Sequence, residues 1–430
     1  MSHFFRFNGR MLRLSITRLL FFAMLVQPAL AAGDAALTLA EATRLTLQHN
    51  PELQGFKWQL QAADGKRQRA GLAPGLSLGL EADNVVGSNN YGGVDQGEFA
   101  LSLASVIELG GQRDARVALM ESSYALIEAE QKAKTLDLLG QLTRAFVRTL
   151  AQQQQVALAS AQLALADDAL RLIRQRVSRG AAPDAERLRA QAEQTRAQLT
   201  LASARAEAEV LTLALARFWG APGDGITRLD GDLFAFAAAP TFEVLLQRAS
   251  NTPAIKVFAS QRRLREASLD ATQRAGGVDI GWQLGVKRLA ATDDTALTAG
   301  LSVPLFAGRR QQGEVLAARA ELAALENEQK TWQLAFNAQL FAAWQDYQQG
   351  VKRARTLADD VIPLLQSALT QTRRAYERGA DSYSNWLAAR RELLSARSDL
   401  IDSASAALLA QSLIEQLTNA PLSTTAAARH

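Results

Sequence analysis

The 430-residue sequence predicts a mainly α-helical fold with a small β part. It is organised as two tandem structural repeats, each joining two strands to a long coiled-coil helical hairpin. Three observations carry this prediction. A set of landmarks recurs once along the chain at constant spacing. Two pairs of segments of about ten residues alternate apolar with polar side chains. Two very long runs are almost free of helix breakers.

The recurrence is clearest at two Arg-Gly pairs. Gly180 and Gly379, Leu188 and Leu387, and Ala190 and Ala389 each lie 199 positions apart. Upstream, Asn50-Pro51-Glu52-Leu53 is echoed by Asn251-Thr252-Pro253-Ala254-Ile255, and Leu109-Gly110-Gly111-Gln112-Arg113 by Phe306-Ala307-Gly308-Arg309-Arg310. A period this long indicates a duplicated domain, because solenoid repeats are far shorter. The expected organisation is a signal peptide over 1–31, a first repeat over 32–220, a second over 221–420 and a flexible tail over 421–430.

Each repeat opens with helices. In the first, one follows Thr38 through Leu39, Ala42 and Leu45 to about Asn50, and another runs from Pro51 to about Ala70. Strand pairs follow at about 75–109 and 278–305. Leu76, Leu78, Leu80 and Ala82 alternate with Ser77, Gly79, Glu81 and Asp83, and Phe99, Leu101, Leu103 and Ile107 oppose Glu98, Ser102 and Glu108. The second repeat sets Val278, Ile280, Trp282, Leu284 and Val286 against Asp279, Gly281, Gln283, Gly285 and Lys287, then Leu297, Ala299, Leu301, Val303 and Leu305 against Thr298, Gly300 and Ser302. Period two places one chemistry on each face. About ten residues is the length that crosses a bilayer at a tilt. The connectors 85–97 and 288–295 are polar loops suited to an exposed surface. Four strands cannot close a barrel, so several chains must contribute.

Long helical hairpins come next, at about 113–218 and 310–417. The first run, to Ser178, holds no proline and only Gly140 as a glycine, and its roughly 66 residues make a rod of ~100 Å. The second, to Glu377, contains Pro363, which should kink it or mark a seam. Leu139, Leu142, Phe146 and Leu150, and Trp332, Phe336, Leu340, Trp344 and Tyr347, form helix-spaced packing stripes. Gly180 and Gly379 suit helix C-caps, from which shorter helices return at about Asp184 and Asp381.

Charge points to export. The net charge of +4 and pI of about 9.5 arise in residues 1–31, where Arg6, Arg10, Arg13 and Arg18 stand without any Lys or acidic residue. The remainder is neutral, so nucleic acid is not an expected partner. Arginines, the run Leu19-Leu20-Phe21-Phe22-Ala23-Met24-Leu25-Val26 and Ala29-Leu30-Ala31 have the order of a cleavable signal peptide. With no cysteine, neither disulfides nor an N-terminal lipid anchor is expected. No stretch of 18 apolar residues follows residue 31, so any membrane crossing falls to the strands.

Chemistry is sparse. After residue 31 only His49 and His430 remain as histidines and Met120 as a methionine. Histidine triads, cysteine nucleophiles and zinc clusters lack their parts. Gly92-Gly93 and Gly110-Gly111 lack the Lys-Ser/Thr of a phosphate loop. The chain is read as a non-enzyme without cofactor or metal site.

Thr38-Leu39-Ala40-Glu41-Ala42, Asn50-Pro51-Glu52-Leu53, the duplicated order and the two Arg-Gly-x7-Leu-x-Ala turns together resemble the TolC-type outer-membrane efflux proteins. The stretch Ile107-Glu108-Leu109-Gly110-Gly111-Gln112-Arg113-Asp114-Ala115-Arg116 is similar to the heavy-metal cation efflux branch. The resemblance implies a homotrimer in the cell outer membrane, with a twelve-stranded transmembrane β-barrel continued by a periplasmic α-helical barrel. It implies a passive exit duct, probed by outer-membrane lipid on its outside, with a periplasmic adaptor and an inner-membrane resistance-nodulation-division transporter as partners. The implied gate and adaptor-contact residues are Arg179, Gly180, Asp184, Glu186, Leu188, Ala190, Arg378, Gly379, Asp381, Leu387 and Ala389. Ser384-Asn385-Trp386 supplies no carboxylate to the second turn, and the carboxylates equally suit helix starts. A channel for drugs or a secreted polypeptide, and a pore-less periplasmic coiled-coil scaffold, stay open as alternatives.

Overall fold

A computed structural model describes residues 36–89, 94–221, 226, 228–305 and 307–422. The expected signal peptide, the Gly92-Gly93 pair, Phe306 and residues 423–430 lie outside the described residues.

The chain enters through a two-residue strand β1 (Leu37–Thr38) and helix α1 (Leu39–His49). Thr38 caps α1, its Oγ1 accepting the Glu41 N–H at 3.2 Å. Asn50 then caps α2 (Pro51–Ala70): Oδ1 accepts the N–H groups of Glu52 and Leu53, and Nδ2 donates to the Phe218 carbonyl at 2.8 Å. Asn-Pro is thus a buried hinge between two helices and not merely a helix stop. His49 is an exposed residue in the last turn of α1.

Strands β2 (Ser77–Asp83) and β3 (Glu98–Glu108) form the first hairpin. After β3 comes α3 (Gln112–Ser178), an unbroken 67-residue helix, and then α4 (Asp184–Ala216), which closes on a 3-10 turn at Arg217–Trp219. The return helix therefore ends slightly before the expected residue 218. The two-residue strand β4 (Leu229–Asp230) pairs in parallel with β1. Helices α5 (Phe242–Ala249) and α6 (Pro253–Ala275) lead into β5 (Asp279–Leu289) and β6 (Asp294–Ser302). Both β5 and β6 run into the stretch expected as a connector, leaving only 290–293 as the turn, where Asp293 takes φ 62°.

The second rod departs from the first. Helix α7 (Ala307–Thr356) gives way to a π turn at Leu357–Val361 and then α8 (Ile362–Glu377). Pro363 has no N–H and its ring would collide with the carbonyl four residues back in a regular helix. The wider turn, in which the Ile362 N–H reaches the Leu357 carbonyl, relieves that collision. The expected seam is real, and its form is a π turn just before the proline. Helix α9 (Tyr383–Thr418) starts two residues after Asp381, the start expected from the sequence, because Ser382 is its cap.

Two cores hold the rods to the short elements. Leu142, Phe146 and Leu150 of α3 pack with Ala42, Leu215 and Leu229. Phe336, Leu340 and Tyr347 of α7 pack with Leu245 and Ile414. The Tyr347 hydroxyl donates to the Ala237 carbonyl at 2.6 Å, and burial pushes its pKa up to about 12. Leu422, assigned to the flexible tail by sequence, is buried in this second core, and its N–H donates to Glu415 at 3.0 Å.

Candidate functional site: a two-faced sheet and a helical tip

The four long strands form one antiparallel sheet in the order β2-β3-β5-β6, so the two halves meet at β3–β5. Register aligns the alternation across all four strands. Leu80, Leu101, Val286 and Leu297 form one row, and Leu78, Leu103, Leu284 and Ala299 the next. These side chains are exposed, Leu80 by 81% and Leu297 by 87%. The opposite face carries Gly79, Ser102, Gly285 and Thr298 in one row and Glu81, Ala100, Lys287 and Ala296 in another. Lys287 pairs with Glu98 and lies 3.9 Å from Asp83. Side chains on this face are crowded: a Cβ on Gly285 would stand 2.8 Å from Thr298 Oγ1 and 2.9 Å from the Leu101 carbonyl.

Exposed apolar rows on one face would drive aggregation in water, whereas a hydrocarbon surrounding makes them favourable. Strands β2 and β6 each keep an open edge within the chain, and such edges demand a pairing partner inside a bilayer. Among the described residues, no helix is long and apolar enough to cross a membrane.

The junction below the sheet explains the stretch from Ile107 to Arg116. Glu108 at the end of β3 pairs with Arg116 on the first turns of α3. Gly111 adopts φ 69°, and a Cβ there would stand 2.6 Å from Arg274 Nη1 of α6. The Gly-Gly pair lets the backbone turn from strand to helix directly against the end of α6.

At the far end, the two Arg-Gly turns close identical caps. The Ala181 N–H reaches the Arg176 carbonyl at 2.8 Å and the Gly180 N–H the Val177 carbonyl at 3.0 Å; Ala380 to Ala375 and Gly379 to Tyr376 repeat this at 2.9 Å. Gly180 and Gly379 have φ of 70° and 77°, the left-handed conformation this cap requires. Arg179, Gly180, Asp184, Leu188, Arg378 and Gly379 are exposed at this tip, while Ala190 is buried and Asp381, Leu387 and Ala389 are half-buried. Asp184 bonds Arg187 at 2.6 Å, and that hydrogen bond holds its carboxyl below the usual aspartate range. Asp381 accepts the Ser382 N–H and Asn385 Nδ2–H at 2.7 Å each.

Of this set, Glu186 bridges the halves by a hydrogen bond, and Ala190 and Leu387 pack in the apolar cluster that joins them. Glu186 accepts the Tyr376 hydroxyl at 2.7 Å. Burial, followed by this bond to a carboxylate, pushes the Tyr376 phenol well above its ordinary value. Tyr376 stacks on Trp386 at 5.2 Å and 25°, with Tyr383 alongside. Arg176 lies over the Tyr376 ring at 4.8 Å and donates to the carbonyls of Tyr376 and Glu377, both at 2.9 Å. Sequence reasoning missed Arg176, Tyr376 and Trp386. The available signal was a difference between repeats: the positions 199 before Tyr376, Tyr383 and Trp386 hold Val177, Asp184 and Arg187.

Residues 42–221 match the family described as outer membrane efflux protein. The chain is similar to known proteins well beyond that stretch. It is 25% identical over 372 residues to the cobalt-zinc-cadmium resistance protein CzcC of Cupriavidus metallidurans, which covers 86% of this chain and 87% of that one. The nickel-cobalt-cadmium resistance protein NccC of Alcaligenes xylosoxydans xylosoxydans is 27% identical over 280 residues, 64% of this chain and 62% of its own. In fold, the chain is similar to the CmeC outer membrane channel of Campylobacter jejuni, with a TM-score of 0.74 at 14% identity over 90% of this chain and 86% of that one.

Proposed function

We propose that this chain is an outer-membrane efflux protein, the exit duct of a tripartite system that expels heavy-metal cations. The observation that carries the channel part is the sheet, with exposed leucines in register on one face and small or charged residues on the other. Three chains would pair β6 of one with β2 of the next, removing every open edge and closing twelve strands. The metal-resistance relatives support the cargo class. The exported precursor is led by residues 1–31, and the partners are a periplasmic adaptor and a proton-driven inner-membrane transporter.

The tip is the proposed gate and adaptor contact, formed by Arg179, Gly180, Asp184, Glu186, Leu188 and Ala190 with Arg378, Gly379, Asp381, Leu387 and Ala389. Beside them, the Glu186–Tyr376 bond joins the chain's two hairpins at the tip and would have to break for them to separate. Growth of a deletion strain on a panel of metal salts and organic toxins tests the function. Sensitivity confined to metal ions is expected. Sensitivity to dyes, detergents or antibiotics would keep the channel and overturn the cargo.

A further inference from the structure

A cavity of about 350 Å³ lies between α3, α8 and α9, just inside the tip, and the Glu186–Tyr376 bond makes no use of it. Its walls combine apolar surface from Leu165, Leu369 and Trp386 with the side chains of Arg374 and Arg390. Two carboxylates also reach it, but both are engaged on their own helices: Asp168 with Arg171, and Glu377 with Arg373 at 2.9 Å. Arg374 and Arg390 form no salt bridge among the described residues. Arg390 is only 5% exposed; it donates to the Leu165 carbonyl at 3.3 Å and lies against Tyr383.

A guanidinium withdrawn from water with no counter-charge is costly, and its planar fork is built to take a carboxylate. The apolar walls add a second requirement, since a bare inorganic anion gains nothing from an indole and two leucines. A glutamate side chain satisfies both, its methylenes against Trp386 and its carboxylate between the arginines. The first repeat has no such arrangement: the positions 199 earlier hold Gln175 and Gln191.

We infer that this cavity is a socket for a glutamate on an amphipathic helix of the periplasmic adaptor, with Arg390 at its base and Arg374 at its rim. This rests on the reading that the tip meets an adaptor. The socket occurs once per chain, so it distinguishes the two hairpins and fixes which one a docking helix selects.

The test measures binding of the purified adaptor of the same efflux system to the full-length channel in nanodiscs. Arg390→Gln should weaken binding about a hundredfold and Arg374→Glu about tenfold. Gln175→Glu, the same charge at the matching place in the first repeat, should leave affinity unchanged. Arg374 is exposed, so its variant keeps the test decisive if Arg390→Gln melts early. Restoration of Arg374→Glu binding by a Glu→Arg change in the adaptor would support the socket and identify its occupant. Undiminished binding by Arg374→Glu overturns the socket but leaves the channel intact, whereas no binding by the unmodified protein overturns the adaptor reading as well. If glutarate stabilises the channel thermally while adaptor binding ignores both variants, the cavity takes a free carboxylate and the docking inference falls.

Discussion

The two rods of this chain begin from equivalent places and are built differently. Helix α3 runs 67 residues without a break, whereas its counterpart is divided at Leu357–Val361 into α7 and α8. Position for position, Ala164 of the first rod becomes Pro363 of the second. The tips diverge in the same sense. The first turn leads into a helix start with the Asp184–Arg187 pair, and the second into the aromatic group Tyr376, Tyr383 and Trp386. The two halves share a common frame, but one is a continuous strut and the other a jointed arm. The arm is gripped by the strut through Arg176 and Glu186.

The largest expected effect separates the tips. Trp386 is 6% exposed and stacked on Tyr376, so Trp386→Ala should destabilise the second tip by about 3–5 kcal/mol. Arg187→Ala, at the matching place, should leave thermal unfolding unchanged within error. Equal losses would show that the two tips are held alike. Next, Ala164→Pro should cost about 3 kcal/mol, because α3 has no π turn to absorb the ring, while Pro363→Ala should be tolerated. Protease accessibility around each position reads the difference.

A smaller effect falls on the bond between the halves. Tyr376→Phe removes the hydroxyl held by Glu186 and should cost about 1 kcal/mol while leaving the ring packing intact. Single-channel recording in planar bilayers should show longer openings; unchanged gating would remove this bond from the gate. The smallest effect concerns Asp184. Its carboxyl pKa is lowered by Arg187, so the pair's contribution is present above the ordinary aspartate pKa and disappears as pH falls through the lowered one. Arg187→Ala should return the Asp184 titration, followed by carboxyl NMR, toward the ordinary aspartate range.

Much of this was legible in the sequence because it is local. Alternation over residues such as Leu78 and Leu80 assigned the correct faces to every strand, and the Arg-Gly pairs marked both caps. The π turn was only partly legible. Pro363 announces a disturbance, but whether a helix kinks, breaks or widens depends on what packs beside it. Leu422 shows the opposite failure, since its polar, alanine-rich surroundings resemble a tail while one leucine finds a core pocket. Of the proposed gate residues, the sequence singled out Glu186 without any indication of its partner.

By itself, the sequence determined the element order, the strand faces, the duplicated frame and the helix caps, since each arises from neighbours a few positions apart. Only the tertiary structure decided that β3 pairs with β5, that Tyr376 meets Glu186 across 190 positions, and that Arg390 is buried beside a cavity without a salt bridge among the described residues. Those facts depend on how two distant hairpins pack, and periodicity along a chain holds no record of which distant side chain will fill the space opposite.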